Sequence, residues 1–248
     1  MRTFGIDLSA DPARTGACSI DWEARSVSFL PHASDKELVA AAVAADMTAI
    51  DVPLGWPDQF VDAIVAHRER RGWPPAATAS PADRVPLRYR VTDLAAIAAG
   101  ARPLSVSSDL IGVAAMRGAR LQHLLGAAGV DVDRSGATGR VVEVYPAATL
   151  RAWGLVSSRY KGRANTAACR SLAGELAGRC GRLGTAAAAA LEGCDDNRLD
   201  AFVCALVARA VLMGATTGPS PEQLDAARRE GWIHLPTVGL AEVIDATG

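Results

Sequence analysis

Across 248 residues the chain has no C-x-x-C pair, no Gly-Gly and no surplus of charge of either sign. Each absence removes a class of function. Five cysteines (Cys18, Cys169, Cys180, Cys194, Cys204) form an odd set without motif spacing. That pattern argues against thiolate zinc and for reduced thiols in a cytoplasmic setting. His32, His67, His123 and His234 show no metal-ligand spacing either. With 26 Lys+Arg against 27 Asp+Glu, no global positive field recruits nucleic acid or an anionic membrane, and any polyanion must meet a local patch. The longest apolar stretch, LDAFVCALVARAVLMGA, carries Asp200 and Arg209 and falls short of a membrane span. The N-terminus leads straight into a strand, so no export signal and no membrane partner are expected. Repeats and low-complexity linkers are also missing. Half of the residues are hydrophobic, enough for one large domain over 1–248 with a proper core.

What is present reads as α/β. Residues 2–8, 15–21 and 25–30 are three short strands separated by the turn-forming SADPARTG and WEAR, a meander. SDKELVAAAVAAD, 34–46, pairs a Ser N-cap with Glu37 in a capping-box pattern that predicts a helix. A fourth strand follows at 48–52. Strand, helix and strand in this order make a right-handed parallel crossover, which places strand four beside strand one. Residues 58–138 read as a mostly helical insertion with a Pro-rich break at 74–86. A strand at 139–145 and a short helix from Pro146 follow. Helices are expected at 164–180 and 196–214, the poly-Ala stretch TAAAAALEG favours helix on propensity, GPSPEQLDAARREGW is a further helical segment and WIHLP a terminal strand.

Five acids interrupt apolar elements: Asp7, Asp51, Glu143, Asp196 and Asp200. Asp7 and Asp51 fall on neighbouring strands about 4.8 Å apart, near enough to share a cation. Asp196 and Asp200 lie one helical turn from each other, and Asp200 stands where its helix turns apolar, so it needs a partner. Clustered carboxylates raise each other's pKa unless a cation neutralises them. Mg²⁺ or Mn²⁺, which take oxygen ligands and serve phosphoryl chemistry, are the cofactors expected. Structural readings stand beside these. Asp51 could cap its turn, Glu143 could pair with an arginine, and Asp196 or Asn197 could cap the helix.

Basic residues gather in HRERRGW, in RVPLRYRVTD (Arg84, Arg88, Arg90, Asp93) and in SRYKGR (Arg159, Tyr160, Lys161, Arg163). The first reads as a solvated helix face. From the other two, Arg88, Arg90 and Lys161 are candidate phosphate ligands, with plain surface charge as the alternative. The five tryptophans read as core or loop anchors.

The segments GIDLS, IDVPLGWP, YRVTD with SVSSDLIG, EVYPAATLRAWG, YKG and LDAFVCALVAR occur in that order along nearly the whole chain. In this they resemble the domain of unknown function 429 family, regarded as ribonuclease H-like nucleases. The resemblance implies a ribonuclease H-like fold with a five-stranded mixed sheet, order 3-2-1-4-5, strand two antiparallel. It also implies a divalent-metal site on Asp7, Asp51 and Asp200, with Glu143 and Asp196 as further acids.

The function so expected is two-metal hydrolysis of a phosphodiester, on nucleic acid or a phosphate-containing small molecule. Near-zero net charge disfavours a long backbone track, and a small substrate or a structured junction eases that conflict. Two alternatives remain. The loop GIDLSADPARTG also resembles the first phosphate loop of the actin and sugar-kinase superfamily, which implies a nucleotide-binding phosphotransferase with a second lobe and a second Gly-rich loop. A catalytically silent metal-binding module is the other.

Overall fold

The turn chemistry of the first thirty residues is satisfied locally. In the computed structural model, which describes residues 1–31, 33–73 and 82–246, β1 (Arg2–Asp7), β2 (Gly16–Asp21) and β3 (Ser26–Phe29) form an antiparallel meander. His32 and residues 74–81 of the Pro-rich break lie outside the described residues. Asp11 caps the 12–14 turn by accepting from Ala13 N at 2.9 Å. The capping box at Ser34 and Glu37 starts α1 (Asp35–Val43). The chain then returns as β4 (Met47–Asp51), parallel to β1, with Asp7 opposite Asp51 in register.

The insertion follows as α2 (Asp58–Arg68), α3 (Val85–Arg88), α4 (Val91–Ala98) and α5 (Ile111–Ala127). Ser105 and Ser107 of the SVSSD loop donate hydroxyls to Arg88 O and Leu87 O, both at 2.7 Å, and so close the end of α3. After β5 (Val141–Val144) come α6 (Pro146–Ala152), α7 (Thr166–Gly178), α8 (Gly184–Leu191), α9 (Asp196–Leu212), α10 (Leu224–Glu230), β6 (Ile233–His234) and α11 (Leu240–Asp245). Among the described residues the sheet has six strands in the order β3-β2-β1-β4-β5-β6. This is the ribonuclease H-like order, extended at one edge by β6.

Strand alternation divides the core into two layers. Phe4, Ile6, Ile50 and Val141 pack with Leu38 and Ala42 of α1 and with Leu121 and Leu125 of α5. On the opposite face Ala49, Val142 and Val144 pack under α9. Every residue of α9 from Leu199 to Ala210 is buried, because the sheet covers one side and other helices the rest. That explains its all-round apolar sequence, as expected for an interior helix. Helix α9 also lies against bare backbone. A Cβ on Gly5 would sit 2.1 Å from Ala201 O, and one on Gly16 2.1 Å from Asn197 O. Among the described residues no helix is long and apolar enough to cross a membrane.

Candidate active site

Asp7 and Asp51 each end a strand, and parity turns both toward α9, opposite to Ile6 and Ile50. The flush contact at Gly5 brings Asp200, one turn into α9, against them. One carboxylate oxygen from each of the three lies within 4.8 Å of the others, with Asp200 buried. Burial first, then the charges of Asp51 and Asp200, hold the Asp7 carboxyl well above the usual carboxylate range, while Lys161 pulls the other way. Asp51 is pushed up to about 7 by burial, against the opposing pull of Lys161 and with Asp200 and Glu143 adding to the rise. Asp200 is raised chiefly by burial.

Three consecutive residues of the YKG segment answer two acids of α9. Tyr160 donates its hydroxyl to Asp200 Oδ1 at 2.7 Å, Lys161 Nζ stands 2.5 Å from Asp200 Oδ2, and Gly162 N donates to Asp196 Oδ2 at 2.9 Å. Burial disfavours the Lys161 ammonium, but Asp200, Asp51 and Asp7 outweigh it and raise its pKa. Asp196 stands outside the three-acid group, its carboxylate committed to Gly162. It is also not the helix cap, which is Asp195, accepting from Arg198 N at 2.9 Å. Asn197 is not the cap either.

Glu143 lies on the other face of the sheet. It pairs in register with Ile50, one residue before Asp51, and its carboxylate meets Arg90 in a two-pronged ion pair, both contacts at 2.7 Å. Leu54 N also donates to it, at 2.9 Å. The guanidinium of Arg90 has no donor left over. Nε goes to Asp93, Nη1 to Glu143 and Glu230 O, and Nη2 to Asp93 and Glu143. Arg90 is only 2% exposed. The carboxylate of Glu230 accepts from Asp58 N and Val91 N, both at 2.8 Å, at the starts of α2 and α4. The YRVTD segment therefore clamps the insertion to β5 and α10. Arg88 is exposed, its guanidinium 5.1 Å from the Tyr89 ring centre.

A family model described as "Protein of unknown function (DUF429)" matches residues 5–224 of the chain. The chain belongs to this family. The matched span contains Asp7, Asp51, Glu143, Lys161, Asp196 and Asp200, so the DUF429 match covers the whole carboxylate cluster. No curated protein and no solved structure gives a match.

Two of the three acids, Asp7 and Asp51, line a cavity of about 530 Å³ together with Lys161 and the Arg90–Glu143 pair, with Asp200 buried behind them. Its walls are mostly apolar and include Leu8, Pro103, Leu104, Ile111, Tyr145 and Ile233. Tyr145 is positioned by donating its hydroxyl to Arg102 O at 3.1 Å. Tyr160, Tyr145 and Arg159 are wall residues that the acid pattern alone does not single out. Tyr160 and Arg159 stand beside Lys161 in the SRYKGR group, whereas nothing local marks Tyr145.

The donor set suits a hard divalent cation. It offers carboxylate oxygens alone, three of them convergent, and their mutual repulsion favours added positive charge. Lys161 already supplies one such charge at Asp200 Oδ2, so a cation must share the Asp200 carboxylate with the ammonium or replace it. All five cysteines are free and buried. Cys204, beneath the cluster, is held protonated by burial first and then by the acids.

Proposed function

We propose that this DUF429 chain hydrolyses phosphodiesters with a divalent cation, Mg²⁺ or Mn²⁺, held by Asp7, Asp51 and Asp200. The observation that carries the reading is the convergence of three carboxylate oxygens within 4.8 Å, with Asp7 and Asp51 lining a cavity. Bound there, such a cation supplies Lewis-acid polarisation of a phosphoryl oxygen and a more acidic water.

The remaining roles belong to the chain's own groups. Tyr160 fixes the orientation of Asp200 through its 2.7 Å hydrogen bond, as hydrogen bonds behind metal ligands do. Asp196 holds the YKG segment in place through Gly162. Lys161 is half exposed, so its ammonium can turn from Asp200 to the phosphate and bind the non-bridging oxygens. Asp51, pushed up to about 7 by burial before a cation binds, is driven to its ionised form by one and so serves as a ligand. Glu143 and Arg90 we assign to holding the insertion wall, because each uses the other's charge. The five reduced, buried thiols fit a cytoplasmic setting.

The test is hydrolysis of single-stranded, duplex, junction and RNA–DNA hybrid substrates, together with small phosphodiesters, in Mn²⁺ or Mg²⁺. Wild type is expected to cleave at least one class, and Asp7→Asn to lose that cleavage while keeping its thermal midpoint. Cleavage that persists in Asp7→Asn, or in excess chelator, contradicts the reading. The Lys161–Asp200 pair favours one rival, the catalytically silent module, in which the ammonium substitutes for a second cation. Bound Mn²⁺ without turnover of any substrate would support it. The phosphotransferase alternative needs a second lobe, and the described residues build one sheet.

A further inference from the structure

The geometry points to a substrate class: the cavity beside the carboxylates takes one nucleoside-sized group, and Arg159 grips its phosphate. The substrate is then a small nucleotide phosphodiester, and not the interior of a long strand. This inference rests on the phosphoester reading above and deepens it.

Size comes first. A cavity of about 530 Å³ lies within the range of pockets that enclose one small organic ligand. The apolar walls formed by Leu8, Pro103, Leu104, Ile111 and Tyr145 suit the face of a base and sugar. They cannot solvate a succession of phosphates. A strand-tracking groove needs a line of free cations, and the lining here does not provide one.

Three cations line the cavity: Arg90, Arg159 and Lys161. Arg90 is saturated by Asp93, Glu143 and Glu230 O. Lys161 sits on Asp200. Arg159 is exposed, and among the described residues its guanidinium has no hydrogen-bond or ion-pair partner. A planar fork with free donors matches two phosphate oxygens at once.

The backbone supplies the second observation. Arg159 takes φ +59, the left-handed region that costs a residue with a Cβ and costs glycine nothing. The turn itself follows from the anchoring of Tyr160, Lys161 and Gly162 on α9. Nothing in that anchoring calls for a guanidinium. Glycine would serve the turn better; Arg25 and Arg70 take the same backbone region away from the cavity, so what sets Arg159 apart is its place on the cavity lining, two residues before Lys161. Strained positions of this kind concentrate at ligand sites.

The experiment measures binding of each of the four common ribonucleoside 5′-monophosphates to the full chain by calorimetry, in saturating Mn²⁺. Two variants probe the cavity. Arg159→Gly removes the guanidinium and relieves the strained turn, so it is expected to fold at least as stably as wild type. Leu104→Trp fills the cavity from a wall position that is 55% exposed. Wild type is expected to bind at least one nucleotide, and each variant to weaken it by about tenfold or more, with Mn²⁺ affinity unchanged. The inference is overturned if none of the four nucleotides binds, or if both variants bind like wild type. It is equally overturned if closed circular single-stranded DNA displaces the nucleotide at equal nucleotide concentration. Nucleotide binding with no hydrolysis of any diester would instead refute the hydrolase reading and leave the pocket standing.

Discussion

Two buried charge clusters lie within reach of one cavity and have opposite character. In the first, Arg90 meets Asp93 and Glu143, and every donor of the guanidinium has an acceptor inside the protein. In the second, Asp7, Asp51 and Asp200 converge on one ammonium, that of Lys161, and their carboxyl pKa values are all raised. A saturated cluster holds structure together. An under-neutralised one next to open volume has capacity left for a ligand, and this contrast separates acids that look alike in the sequence.

The largest effect should come from exchanging a single charge in each cluster. Asp7→Asn is expected to lower hydrolysis by about a thousandfold or more, on the scale of removing a transition-state interaction worth about 4 kcal/mol. Its stability should hold or rise, since one repelling charge is gone. Glu143→Gln should do the reverse, losing stability and retaining most of its hydrolysis. Steady-state rates and denaturant midpoints on the same two proteins decide the matter, and parallel behaviour would erase the distinction.

Next in size is Arg90→Met. It strands Asp93 and Glu143 as buried charges, and is expected to cost about 3–5 kcal/mol of unfolding free energy in urea titration. Lys161→Met should cost far less, because its partner Asp200 can be protonated and Lys161 is half exposed.

The pH dependence sharpens the contrast further. Raised carboxyl pKa values mean that the native state holds protons the unfolded chain releases. Stability without metal should therefore be greatest in mild acid and fall as pH rises from the unfolded carboxylate range through about 7, the value for Asp51. Mn²⁺ should remove the decline. Thermal midpoints at pH 5.5 and 8, with and without Mn²⁺, test this, and a midpoint that rises with pH in the metal-free protein would contradict it. The smallest effect is expected from Tyr160→Phe, which loses one hydrogen bond to Asp200, about 1 kcal/mol, and weakens Mn²⁺ binding several-fold. Unchanged Mn²⁺ affinity in that variant would remove Tyr160 from the site.

Much of the second cluster was legible from local pattern. The strand, helix and strand order places Asp7 beside Asp51, and an acid at the apolar turn of α9 singles out Asp200. What stayed hidden depended on register and distance. Glu143 is separated from the cluster by parity, and parity across β4 and β5 depends on a pairing that no local residue encodes. The commitment of Arg90 involves Glu230, 140 residues away. Adjacent acids at 195 and 196 cannot be sorted into cap and loop anchor by spacing alone. The strand in WIHLP was legible and is β6, but its parallel pairing beside β5 was not, and the seating of α9 rests on Gly5 and Gly16, whose missing side chains leave no pattern.

The most direct measurement is calorimetric titration of Mn²⁺ into wild type, Asp7→Asn and Glu143→Gln at pH 8. Wild type and Glu143→Gln are expected to bind and Asp7→Asn to show no binding, since the cation belongs to one cluster and not the other. Equal binding by Asp7→Asn and wild type, or no binding by wild type, would contradict it.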